Sequence, residues 1–114
     1  MISLKFTYDN TWGCFCEPFK GIENEKIISN YLMDIKYIGS IYEKLSSSEL
    51  TNSDIGSEVW GGEIVGDNVE IYSLFEPENV QVRLSKKTMF FILSKWLRFT
   101  EKDHMDGDEE IVEI

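Results

Sequence analysis

Gly66-Asp67 constrains this chain more than any other pair of residues. It stands between Glu63-Ile64-Val65 and Asn68-Val69-Glu70, with glycine at the first central position of a two-residue hairpin loop. That is the demand of a type II′ turn. The loop pairs Val65 with Asn68, Ile64 with Val69 and Glu63 with Glu70. Strand side chains alternate between faces, so the whole pattern follows from this one turn. Trp60, Ile64, Val69 and Ile71 form an apolar face. Phe75, Val80, Val82 and Leu84 continue it across a second turn at Glu76-Pro77-Glu78. The opposite face carries Glu63, Glu70, Tyr72, Leu74, Gln81 and Arg83. A loop at Asp67-Asn68 would shift the pairing but keep Glu63, Glu70 and Tyr72 together. The expectation is a three-stranded antiparallel meander over residues 57–65, 68–75 and 79–84.

Other segments supply what covers the meander. Ile2, Leu4, Phe6 and Tyr8 alternate with Ser3, Lys5 and Thr7, the mark of a half-buried strand. Asp9-Asn10 turns the chain, and residues 11–16 return as a second strand with Trp12, Cys14 and Cys16 on one side. Pro18 and Gly21 end it. Ile28, Tyr31, Leu32, Ile35, Ile38, Tyr42 and Leu45 recur at helical steps, predicting a helix over 25–45 with Asn24 as N-cap and Gly39 as a weak point. Residues 46–56 read as a loop. Ser85 caps a last helix running to about residue 100, with Met89, Ile92, Leu93, Trp96, Leu97 and Thr100 on its apolar face. Phe91 projects opposite that stripe, among Lys87, Ser94, Lys95 and Arg98. The expected fold is α+β: an antiparallel sheet of about four to five strands with two main helices packed on one face.

Charge then narrows the partners. The 114 residues hold 21 Asp and Glu against 11 Lys and Arg, a formal net of −10. Phosphate-backbone binding needs clustered cations, so direct nucleic-acid binding is not expected, nor is docking on anionic lipid. A basic partner is admitted. The excess is unevenly spread: residues 101–114 hold seven acidic side chains against Lys102 alone. The division expected is one domain over 1–100 and an acidic C-terminal tail over 101–114.

Little in the chain points to catalysis. His104 is the one histidine and reads as a solvated tail residue. Cys14 and Cys16 lie too close for a good disulfide and lack the further ligands tetrahedral zinc needs, so structural cysteines are expected. No phosphate-binding loop, dinucleotide fingerprint, nucleophile elbow or zinc-protease motif occurs. No cofactor, metal or catalytic residue is assigned. No apolar run reaches the roughly 18–20 residues of a membrane span. Residues 1–8 lack the basic and apolar regions of a signal peptide, so the reducing cytoplasm is the expected compartment.

The stretch Val59-Trp60-Gly61-Gly62-Glu63-Ile64 through Asn68-Val69-Glu70-Ile71-Tyr72 and Glu78-Asn79-Val80-Gln81-Val82-Arg83-Leu84-Ser85 feeds into Phe90-Phe91-Ile92-Leu93-Ser94-Lys95-Trp96. This meander followed by a helix resembles small bacterial immunity proteins, the cognate antitoxins of polymorphic and contact-dependent growth inhibition toxins. The resemblance covers about residues 57–100 and implies a cytoplasmic protein that blocks a toxin domain, commonly a basic nuclease. It transfers no binding residues. From the residues themselves, Glu63 opposite Glu70 is a like-charge pair that a basic partner would neutralise. Arg83 beside Glu70 would serve as well. The expected interface is Glu63, Glu70, Tyr72, Glu76 and Glu78, with Phe91 as an outlier. An acidic adaptor or nucleic-acid mimic is the second reading, and a small carboxylate-based enzyme the third.

Overall fold

A computed structural model describes residues 2–47 and 52–114. In chain order these form β1 (Ser3–Asp9), β2 (Gly13–Pro18), α1 (Glu23–Asp34), α2 (Ile38–Ser46), β3 (Asn52–Asp54), β4 (Trp60–Val65), β5 (Asn68–Ser73), β6 (Val80–Ser85), α3 (Lys86–Glu101) and β7 (Glu109–Glu113). The fold is α+β. Its strands make two antiparallel sheets, ordered β2-β1-β7 and β3-β4-β5-β6, where one sheet was expected. The N-terminal hairpin joins the C-terminal strand instead of the meander.

The turn logic holds. Gly66 has φ +61°, Asp67 does not follow it into positive φ, and the ladder pairs Val65 with Asn68, Ile64 with Val69 and Glu63 with Glu70. Ile64, Val69, Ile71, Val82 and Leu84 are buried on the inner face. Against them α3 packs Met89, Ile92, Leu93 and Trp96, and α1 packs Ile27, Ile28, Tyr31 and Leu32. Phe6 from β1 meets Trp96 edge-on, with ring centroids 5.0 Å apart, so both sheets share one core. Full burial of each such aliphatic side chain contributes about 1.5–3 kcal/mol.

Several expectations need correction. Phe75 lies beyond the end of β5 and is 84% exposed, and Val80 is also exposed, so neither joins the core face. Leu97 and Thr100 are only half-buried, while Phe99 is fully buried against Phe6, with centroids 5.5 Å apart. Trp12 sits exposed in the β1–β2 turn. The helix over 25–45 is two helices, with Ile35 closing α1 and Tyr37 opening α2. Asp34 explains the break. Its carbonyl accepts the Ser57 hydroxyl at 2.6 Å, and its carboxylate accepts the N–H groups of Val59 and Trp60 at 2.9 and 3.1 Å. The chain arriving before β4 thus satisfies a helix end that would otherwise be unpartnered.

Ile22, not Asn24, is the N-cap of α1 and has no side-chain cap, while Glu25 in the first turn ties down the chain leading into the helix. Its buried carboxylate accepts the N–H groups of Ser3 and Lys20, both at 2.8 Å, and of Gly21 at 3.0 Å. The capping of α3 by Ser85 is as expected, with its hydroxyl oxygen accepting the Thr88 N–H at 3.0 Å. Within the stretch read as a loop, Asn52–Asp54 is a strand, and residues 48–51 lie outside the described residues.

The acidic terminus is not a free tail. β7 pairs with β1 along its length, burying Val112 opposite Leu4 and setting Glu109 2.9 Å from Lys5. His104 precedes it as a buried ring, stacked on Tyr8 at 4.9 Å and tilted against Phe99 at 4.3 Å. Its nitrogens face the Asp108 carboxylate at 3.2 Å and the Phe99 carbonyl. Among the described residues no helix is long and apolar enough to cross a membrane.

Candidate protein-binding surface

The solvent face of the four-stranded sheet carries a row of charges across all four strands. Asp54 stands opposite Glu63, Glu63 opposite Glu70, and Glu70 opposite Arg83. Directly opposed carboxylates repel unless each finds a partner. Here Glu70 accepts two bonds from the Arg83 guanidinium, at 2.7 and 2.8 Å. Glu63 accepts the Tyr72 hydroxyl at 3.2 Å. Asp54 turns back to accept the Gly56 N–H at 2.7 Å. Three carboxylates and one guanidinium leave a net negative strip that the fold itself tolerates.

Tyr72 joins this strip to an apolar end. It lies opposite Gly61, and a Cβ at Gly61 would sit 2.1 Å from its ring, so the missing side chain makes room for the ring. Partial burial pushes the Tyr72 hydroxyl above its ordinary pKa, and the charge of Glu63 adds to the effect. Beyond Gly61, Trp60 pairs with Ser73 and the Val59 carbonyl accepts the Leu74 N–H at 3.0 Å. Val59, Leu74 and Phe75 are exposed there. Val59 and Trp60 continue into a shallow depression of about 280 Å³ shared with Asn30, Met33 and Asp34 of α1. Glu58, Glu76 and Glu78 stand exposed around this end, with Glu58 held by Lys36 at 2.5 Å. Contiguous exposed apolar surface with a polar rim is characteristic of a protein contact.

Glu63, Glu70 and Tyr72 therefore share one face, and Glu76 and Glu78 follow Phe75 in the turn at its end. Phe91 does not join them. It lies on α3, which covers the other side of the sheet, and the Lys95 ammonium sits 5.6 Å from its ring centroid. Asp54, Val59 and Phe75 were not anticipated here. Asp54 belongs to a strand too short for its alternation to be read. Phe75 falls on the inner side only if strand parity continues two residues past Ser73, where β5 ends. The Leu74-Phe75-Glu76-Pro77 sequence carried the signal, since proline next to a turn stops the ladder.

The thiols offer little chemistry. Burial pushes the Cys16 thiol up to about 11, and burial also raises Cys14. Both are protonated at neutral pH and are weak nucleophiles. Among the described residues no group of three or more His, Cys, Asp or Glu is placed to hold a metal ion.

The architecture defines a small α+β protein of two antiparallel sheets sharing one helical core. The chain belongs to the family of unknown function DUF5376, whose family model matches residues 2–114. It is also 30% identical over 78 residues to "Uncharacterized protein PM0491" of Pasteurella multocida (strain Pm70), a match covering 67% of this chain and 61% of that protein. No solved structure matches it.

Proposed function

We propose that this chain is a binding protein that seats a basic protein partner on the outer face and apolar end of the β3–β6 sheet. The observation that carries this reading is the continuity of the two parts. An acidic row runs through Asp54, Glu63 and Glu70, Tyr72 links it to the end, and Val59, Leu74 and Phe75 supply apolar contact. Apolar anchors give affinity, while the charges speed encounter and select a basic surface. In this reading the chain is no enzyme and uses no cofactor. The resemblance to immunity proteins suggests the kind of partner: a toxin domain, probed first as a basic nuclease, blocked in the cytoplasm.

The test is co-expression and co-purification with the toxin encoded beside its gene. The chain is expected to rescue growth and to co-purify. Phe75→Ser and Glu63→Lys are each expected to weaken binding about tenfold or more, with E63K also flattening its salt dependence. Failure both to bind and to rescue overturns the toxin reading. Binding that both variants leave unchanged overturns the surface.

A further inference from the structure

The three-stranded sheet ends at β7, and its ladder determines which backbone groups face outward. Ile114 donates its N–H to the Ile2 carbonyl and Tyr8 donates to the Asp108 carbonyl, both at 2.9 Å. Bonded pairs alternate along an antiparallel ladder, so the backbone groups of Glu110 and Val112 also point at β1. Those of Glu109, Ile111 and Glu113 point away. Among the described residues no further strand lies beyond β7 and nothing hydrogen-bonds these outward groups. All three side chains are exposed, Ile111 by 49%.

An open edge is a template for another strand, and its charges decide which. Two copies pairing antiparallel about Ile111 would set Glu109 against the second copy's Glu113, a like-charge contact at each end. The same two carboxylates would attract a strand with cations at those positions and an apolar residue opposite Ile111. Lys5 already holds Glu109 at 2.9 Å, so Glu113 is the stronger selector. We propose that β7 takes up an extended basic segment of a partner protein as a fourth strand of the β2-β1-β7 sheet. Main-chain bonds from Glu109, Ile111 and Glu113 hold the segment and the two carboxylates select its charge. This docking does not depend on the surface of the other sheet.

The test titrates the ¹⁵N-labelled full chain with the peptide acetyl-Thr-Lys-Thr-Val-Thr-Lys-Thr-amide and with its counterpart carrying Glu for Lys. The basic peptide is expected to shift the amides of Glu109, Ile111 and Glu113 and slow their hydrogen exchange about fivefold or more, while the acidic one does neither. Ile111→Pro removes an outward N–H without touching a bond to β1, and is expected to abolish the response. Glu113→Lys is expected to weaken the basic peptide about fivefold and to admit the acidic one. It carries the test if the proline variant does not fold. The proposal is overturned by no response at millimolar basic peptide, by shifts confined to other strands, or by equal response to both peptides. A dimer formed through β7 overturns it as well.

Discussion

The corner around Glu25 and the outer face around Glu63 and Glu70 use the same functional group under opposite conditions. At the corner, one carboxylate is fully buried and gathers backbone N–H groups from β1 and from the β2–α1 connection. On the outer face, carboxylates crowd one another in solvent and are held by one guanidinium and one hydroxyl. The first arrangement closes the fold, because a buried carboxylate is costly unless donors satisfy it, and here they come from two separate segments. The second contributes little to the fold and leaves charge facing outward. Burial and the number of N–H donors, not formal charge, separate a structural carboxylate from a recognition carboxylate.

The largest expected effect tests the structural side. Glu25→Gln keeps the shape but turns an amide NH₂ toward backbone donors. It is expected to cost about 3 kcal/mol, lowering the melting temperature by about 10 °C in a chain of this size. A loss under about 1 kcal/mol would place Glu25 with the surface carboxylates. The pH dependence separates the two regions further. Burial pushes the Glu25 carboxyl up, but the N–H groups of Ser3, Lys20, Gly21 and Ile22 outweigh it, leaving its pKa below the ordinary 4.5. Its contribution is therefore complete above pH 4.5 and lost as pH falls through the depressed folded value. Acid titration of stability should show that loss in the parent chain and a flatter curve in the Gln variant. Equal slopes would refute the assignment.

Adjacent glycines offer a finer comparison, since they face opposite sides of β4. A Cβ at Gly62 would lie 3.1 Å from the Ile55 side chain and 3.3 Å from both the Ile55 carbonyl and the Tyr31 ring. Tyr31 cannot yield, because its hydroxyl donates to that carbonyl at 2.6 Å in the core. At Gly61 the obstacle is the partly exposed Tyr72 ring, which can swing outward. Gly62→Ala is expected to cost about 2 kcal/mol and Gly61→Ala about 1, read by denaturant unfolding. Gly61→Ala should impair partner binding more than its stability loss accounts for, because it displaces Tyr72 from Glu63. Binding unchanged in Gly61→Ala would remove Tyr72 from the contact surface.

How much of this was legible in the residues depended on local chemistry. Gly66-Asp67 determined a turn, and the turn determined which side every β4 and β5 residue takes, so the Glu63–Glu70 pair could be read directly. Ser85 announced its helix in the same way. What could not be read were consequences of contacts distant in sequence. Glu25 looks like any helical glutamate until Ser3 and Gly21 arrive beside it. Asp34 looks like a mid-helix residue until Ser57 claims its carbonyl and Val59 and Trp60 its carboxylate. The terminus reads as a tail because acidic residues outnumber apolar ones. Val112, buried opposite Leu4, and Ile114, packed at the edge of the core, anchor it as a strand, and His104 is buried because Tyr8 and Phe99 close around it.

The smallest expected effect is also the most discriminating for the outer face. Glu63 stands between Asp54 and Glu70, so Glu63→Lys replaces two repulsions with two attractions and loses only the bond from Tyr72. A gain of about 0.5 kcal/mol is expected. Glu70 stands between Glu63 and Arg83, and its side chain is 21% exposed. Glu70→Lys exchanges a paired guanidinium for a like charge and is expected to lose about 0.5–1 kcal/mol. Two lysines at directly opposed positions should thus move stability in opposite directions. Thermal unfolding at low salt and at about 0.5 M salt reads the difference, which should shrink as the Debye length falls to a few ångströms. If both variants shift the same way, the face does not carry the ordered row that Arg83 terminates. Its acidity would then be mere surface charge, without the register a complementary partner could read.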